Sequence, residues 1–368
     1  MGILRLLLAL SVLFAHAGVF PLSDNTFADG LVAVECFFLI SGFYMALILN
    51  ERYISLKDFY VNRFLRIFPI YWLILCVVII LTLINGKPLF ISQFLNDINI
   101  SWFSKLLAIF SNLLIMGSDL PLYFATLTKA SNSISLNSEA VLNRLFYLLI
   151  VPASWSLPLE LSYYLIAPFL VKSPMRLLML IFLSLICRYY IYKYIGSTDP
   201  WNYRFFPSEL LFFGLGSFCY HIYIKIKKYS FSEDIGFIFF VIIFFYLTNL
   251  NRIPSIMPNT VLFRGEFIQF FLCMTVMLPF IFLKTKNNLM DRRVGELSYP
   301  IYLAHILIIK EIRAGTLPKI TSSPVYDLII YVVIFALLIN YFFKNIIEYR
   351  FKREAKAEHD VKYGEVYA

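Results

Sequence analysis

The sequence predicts an all-α, polytopic integral membrane protein with about ten transmembrane helices and both termini cytoplasmic. Three observations predict it. Of 368 residues, 60% are hydrophobic, 18% aromatic and only 15% charged, and the mean hydropathy of +0.75 exceeds what a soluble core of this length needs. The apolar residues gather into runs of the ~17–25 residues that cross a bilayer. Lysines and arginines cluster between alternate runs, the bias that orients membrane proteins. The net charge of +9 therefore points to a lipid bilayer as partner and not to nucleic acid. Cys36, Cys76, Cys187, Cys219 and Cys273 lie in or beside apolar runs with no C-x-x-C pair, so neither disulfides nor a metal site is expected.

The first segment, 3–20, begins with Arg5 and carries Ala15-His16-Ala17, which imitates a secretory cleavage site. Its single basic residue, and a second span only about ten residues later, predict that it is retained. The second segment, 31–49, opens near Glu35, and the third, 69–85, follows Arg63 and Arg66. The region 86–154 reads as an outer connection in which the short apolar stretch 104–117 is re-entrant or interfacial. If 104–117 does not cross, the clusters at Arg52 to Arg66, Lys172 and Arg176, Lys225 to Lys228, Lys284 to Arg293 and the tail all fall inside. The Ser- and Asn-rich stretch from Ser131 to Asn143 is long enough for a lid or acceptor platform. Further spans follow at 155–171, 177–194, 207–223, 235–249, 266–283, 297–313 and 325–343. Residues 1–343 thus read as one multi-span membrane domain, and 344–368 as a short charged cytoplasmic tail, partly disordered.

Charged residues at bilayer depth are costly and by default mark a functional site. Arg5 and His16 lie eleven positions apart, about three turns, which places them within ~20° on one helix face and ~16 Å apart along the axis. That layout suits a ligand with an anionic head at the inner surface and a reactive end deeper in. The plainer alternative is a snorkelling arginine and a packed, hydrogen-bonded histidine. Glu35 starts the second span across a short loop from His16, where a carboxylate would hold the imidazole tautomer; otherwise it is an interfacial acid facing water. Arg63 and Arg66, three apart, put two guanidinium forks on one face at the inner boundary, a geometry for phosphates or simply a topological anchor.

Taken in order, these residues resemble a known family. Arg-x10-His in the first span, Phe37-Phe38-Leu39-Ile40-Ser41-Gly42-Phe43, Arg63-x-x-Arg66-Ile-x-Pro69, Trp155-Ser156-Leu-x-x-Glu160, Arg204 with Glu209 and Gly214, and Leu297-Ser298-Tyr299-x-Ile301-Tyr302-Leu303-x-His305 follow the pattern of the membrane acyltransferase family 3. The resemblance spans nearly the whole chain, and six weak motifs in sequence make a strong one.

It implies a membrane-bound O-acetyltransferase with acetyl-CoA as cosubstrate, no bound cofactor and no metal. The acceptor it implies is a glycan such as O-antigen, capsule, exopolysaccharide or a lipid-linked sugar, at the inner (plasma) membrane. By position, His16 looks like the essential histidine with Arg5 its first-span partner, and Glu35 stands where the family has an acid. Arg63 and Arg66 look like the arginines linked to the donor. Trp155, Glu160, Tyr302 and His305 are expected to line the substrate cavity, although a Trp anchor and interhelical hydrogen bonds are equally ordinary readings. Arg204 and Glu209 read as a structural or gating pair, and His221 and His359 receive no role. In this reading His16 is the general base for attack of a sugar hydroxyl on the thioester, with a covalent acetyl-histidine as a variant. Donor and acceptor enter from opposite sides. The competing classes are a non-enzymatic carrier of polysaccharide or lipid-linked sugar and transfer of another acyl group such as succinyl.

Overall fold

The computed structural model describes residues 1–18, 27–52, 55–84, 96, 102–117, 149–194, 201–229, 232–260 and 263–364. Regular structure among them is helical throughout: α1 (Gly2–Ala17), α2 (Gly30–Glu51), α3 (Leu56–Ile84), α4 (Trp102–Leu114), a 3₁₀ turn (Pro152–Ser156) running into α5 (Leu157–Leu170), α6 (Pro174–Tyr194), α7 (Phe206–Ile226), α8 (Ser232–Asn249), α9 (Gly265–Thr285), α10 (Leu289–Gly295), α11 (Ser298–Arg313), α12 (Pro324–Phe342) and α13 (Lys344–Gly364). Each of the ten apolar segments contains a helix. Five of them, α2, α3, α6, α9 and α12, are long and apolar enough to cross a membrane, while α1, α4 and α8 carry shorter apolar stretches.

α2 lies at the centre, packed on α1 along one side and on α7 along another. Its approach to α7 is backbone-close. A Cβ added at Gly42 would collide with the Phe213 carbonyl, and one at Gly216 with the Leu39 carbonyl. Small residues are what let helices come together when the surroundings are as apolar as the side chains. Ser217 Oγ donates to the Gly42 carbonyl at 2.8 Å and meets Tyr163 Oη at 2.6 Å, so α5 is tied to the same crossing.

α1 is enclosed by α2, α10 and α11, with Leu4, Leu8, Val12 and Leu13 fully buried. At its start Asp291 accepts from the Gly2 and Ile3 amides, at 2.6 and 2.9 Å, an acid placed at the electropositive helix end. At its finish Gly18 takes a left-handed conformation, φ 67°, that a glycine adopts without strain. α3 begins at Leu56, well ahead of the apolar run expected from 69, so Arg63 and Arg66 stand on its regular turns. Hydropathy marks where a helix meets lipid, not where its hydrogen bonding begins.

Three further expectations concern the outer connection and the tail, and only the last departs from the structure. α4, at ~20 Å, is a short helix held against α3 by hydrogen bonds from Tyr71 Oη to the Asn112 carbonyl (2.5 Å) and Trp72 Nε1 to the Leu113 carbonyl (2.9 Å). The proposed lid at 131–143 lies outside the described residues. The tail, expected to be partly disordered, forms α13 as far as Gly364, with Arg350 and Glu354 buried. Charge-rich composition argues for disorder only where the charges lack partners, and these have them. Arg350 pairs with Glu296 at 3.3 Å, Arg353 with Asp58, and Glu354 with Arg63 of α3, Arg52 and Arg292.

Candidate active site

Three cavities follow one another along α1. The first, of about 100 Å³, opens among Arg5, Arg52, Arg63, Arg66, Arg292, Glu296, Arg350 and Glu354 at the start of the helix. The second, of about 70 Å³, lies among Arg5, Ser41, Tyr44, Arg66, Glu160, Tyr299 and Tyr302. The third, of about 210 Å³, is bounded by His16, Asp29, Trp155, Tyr203, Arg204, Tyr302 and His305 at the far end. They share walls: Arg5, Tyr44 and Arg66 belong to the first and second, Val34 and Tyr302 to the second and third. The face that carries Arg5 and His16 thus connects an arginine-rich opening to a pair of imidazoles.

At the arginine end most of the positive charge is already matched. Glu354 accepts from Asn62 Nδ2 (3.0 Å), Arg63 Nη2 (3.3 Å), Arg52 Nη1 (3.2 Å) and Arg292 Nη2 (3.0 Å). Burial pushes the Glu296 carboxyl up, but Arg350, Arg66 and Arg5 outweigh it and hold it at about 2. Arg5 and Arg66 differ from their neighbours. Among the described residues neither guanidinium makes a hydrogen bond or an ion pair, and both face the first and second cavities. Two guanidiniums with no direct partner, answered only through space by Glu296, leave room for an anionic ligand.

In the middle cavity Glu160 accepts from Ser41 Oγ at 2.9 Å and from the Tyr164 hydroxyl, while Ser156 Oγ and Tyr302 Oη meet at 2.8 Å. The 3₁₀ turn and first turn of α5 therefore deliver Trp155, Ser156 and Glu160 together to the cavity walls.

At the far end His16 Nδ1 lies 2.9 Å from the Val12 carbonyl, one turn back. A carbonyl can only accept, so Nδ1 carries the proton and Nε2 presents its lone pair. His305 repeats the arrangement: Nδ1 is 2.6 Å from the Tyr302 carbonyl, and its buried Nε2 has no partner among the described residues. The two rings stand 4.9 Å apart, centroid to centroid. Trp155 forms the opposite wall, with Arg204 stacked on it at 4.1 Å and the Tyr203 ring at 4.8 Å.

His16, Trp155, Tyr302 and His305 are thus brought to one cavity, and Arg5, Arg66, Glu160 and Tyr302 to the next. Glu35 is not brought to His16. Its carboxylate turns to Arg188, 3.8 Å away, and Arg188 also holds Glu209 at 2.9 Å with its guanidinium 5.0 Å from the Phe212 and Phe263 rings. The reason is helical phase: Leu31 and Val34 line the imidazole cavity, and the next position, Glu35, is rotated ~100° towards α6 and α7. The imidazole needs no carboxylate because a backbone carbonyl sets its tautomer. Arg63 also departs from expectation, being engaged by Glu354 where Arg66 is not. Glu209 also meets Arg188, a partner the sequence did not point to. Sequence reading passed over Arg188, although an arginine inside the apolar run 177–194 is the same signal that singled out Arg5.

The family model described as an acyltransferase domain, of acyltransferase family 3, matches residues 1–343. The chain belongs to the membrane acyltransferase family 3. It is therefore an acyltransferase of the membrane, its apolar helices enclosing a run of charged cavities. The match ends one residue past α12 and leaves α13 outside it. No curated protein and no solved structure matches the chain.

Proposed function

We propose that this acyltransferase moves acetyl from cytoplasmic acetyl-CoA to a hydroxyl of a cell-surface or lipid-linked glycan. It does so within the inner (plasma) membrane, crossing about ten times with both termini cytoplasmic. The observation that carries the reading is the row of cavities joining two unmatched guanidiniums to a bare imidazole nitrogen in an acyltransferase-family domain. Arg5 and Arg66 take the diphosphate of the donor, which cannot enter hydrocarbon. The extended pantetheine arm runs past Glu160 and Tyr302 and covers the ~16 Å from Arg5 to His16.

His16 Nε2 accepts the proton of the glycan hydroxyl as that oxygen attacks the thioester carbonyl. The tetrahedral adduct collapses with cleavage of the carbon–sulfur bond, and the thiolate takes the proton back from the imidazolium. The products are an O-acetyl ester and free CoA. Trp155 and Tyr203 offer aromatic faces to the sugar, and the Val12 carbonyl keeps Nε2 aimed into the cavity. Glu35, held by Arg188, positions α2 against α6 and α7 and stays out of the chemistry.

Sealed right-side-out vesicles test the whole reading. Acetyl-CoA trapped inside is expected to raise the mass of an external glycan acceptor by one acetyl group, whereas acetyl-CoA added only outside is not. Acetylation that requires both substrates on the cytoplasmic side overturns the arrangement, and a different mass increment overturns the donor.

A further inference from the structure

α13 places one carboxylate at the focus of four donors. Asn62 and Arg63 are buried, at 0% and 3% exposure, and together with Arg52 and Arg292 they converge on Glu354, itself 7% exposed. Two or more guanidiniums and an amide around one pair of oxygens is the geometry by which proteins bind phosphate. The residue filling it comes from a helix outside the acyltransferase match. Burial pushes the Glu354 carboxyl up, but Arg63, Arg52, Arg350 and Arg292 outweigh that and hold it below the usual carboxylate range, so the group is an anion.

Position along the row of cavities distinguishes this cluster from the unmatched pair. Counting from His16, Arg5 and Arg66 come first and the Glu354 cluster lies beyond them, since Arg5 and Arg66 line both the middle and the outermost cavity while Asn62's neighbour Arg63, Arg52, Arg292 and Glu354 line only the outermost. Coenzyme A has the same order: thioester, pantetheine arm, diphosphate, and last the phosphate on the ribose.

Resting on the donor assignment above, we propose that Asn62, Arg52, Arg63 and Arg292 form a second phosphate subsite, for the ribose phosphate of CoA, and that Glu354 is its resident anion, displaced when the donor binds. The tail helix then competes with the donor and sets its selectivity. A donor that brings a terminal phosphate recovers the contacts it breaks; one that lacks it does not.

The test is binding of CoA and of dephospho-CoA to the full-length protein in detergent, by calorimetry, with melting temperature as the control for folding. Glu354→Gln keeps the side-chain shape and an acceptor for Asn62 but removes the charge. It is expected to bind CoA at least about fivefold more tightly than wild type, the lower end of ordinary coupling between sites, and dephospho-CoA nearly unchanged. Glu354→Asp is expected to remain close to wild type. Arg292→Gln and Arg52→Gln, on the more exposed rim, are expected to weaken CoA and spare dephospho-CoA, and they decide the matter if Glu354→Gln does not fold. Equal tightening of both ligands, or no tightening of CoA by Glu354→Gln, overturns the subsite and leaves Glu354 a structural counter-ion. In that event a loss of CoA binding in Arg66→Ala still upholds the donor reading. Absence of CoA binding in every form overturns both.

Discussion

The two ends of α1 solve opposite problems. At its start, around Arg5, charge is dense and is matched by two carboxylates, Glu354 and Glu296, which cancel most of the cluster and leave two guanidiniums without a direct partner. At its finish, around His16, charge is sparse, and the two imidazoles are each tied to their own helix backbone. In the proposed reading, binding at one end is a matter of which arginine has no direct partner, and chemistry at the other of which nitrogen has none. An identity alone, Arg or His, distinguishes neither.

The largest effect is expected at the imidazole end. His16→Ala should lower acyl transfer by about two to four orders of magnitude, the range for loss of a general base, with an unchanged melting temperature because the side chain is exposed to the cavity. Near-normal transfer at equal expression would remove His16 from the mechanism and with it the contrast between the two ends.

Arg66 and Arg63 separate the two kinds of arginine. Arg66→Ala is expected to weaken CoA by roughly 10- to 100-fold, the worth of one charged hydrogen-bonded contact, without loss of stability, and Arg66→Lys to restore only part because it offers a point charge and not a fork. Arg63→Ala is expected to weaken CoA while sparing dephospho-CoA and, unlike Arg66→Ala, to cost about 1–3 kcal/mol of stability because a buried carboxylate loses one of its donors. Matching effects of the two substitutions in calorimetry and thermal melts would show that ion pairing does not sort them.

The smallest effect concerns pH. Glu296 and Glu354 both have folded values below the ordinary carboxylate range. Their contribution to stability is therefore present above the unfolded value and lost as pH falls through the folded one. For Glu296 that window runs from the reference value of 4.5 down to about 2. The melting temperature should drop across it, and Glu296→Gln, less stable at neutral pH, should flatten that drop. A variant whose acid limb matches wild type would place the sensitivity elsewhere.

Much of the fold was legible in advance. Apolar runs long enough to need a bilayer marked a helix at every expected position, because hydropathy is a local property of consecutive residues. The same rule that makes buried charge costly drew attention to Arg5, His16 and Glu35, and the six ordered motifs carried the family and, with it, Glu160 and His305. What sequence could not decide was partnership. Glu35 stood near His16 by any count along the chain, yet one step of helical rotation sends it to Arg188 on α6. The tail read as solvated charge, yet its Glu354 reaches Arg63, 291 positions away. Periodicity tells which face a side chain occupies on its own helix, but which helix covers that face depends on how all of them pack, through contacts such as Gly42 against Phe213. An ion pair is the product of two such placements. That is why the sequence by itself determined the helices, the polar residues worth watching and the family, while only the tertiary structure decided which cations were cancelled and which, Arg5 and Arg66, were left without a direct partner.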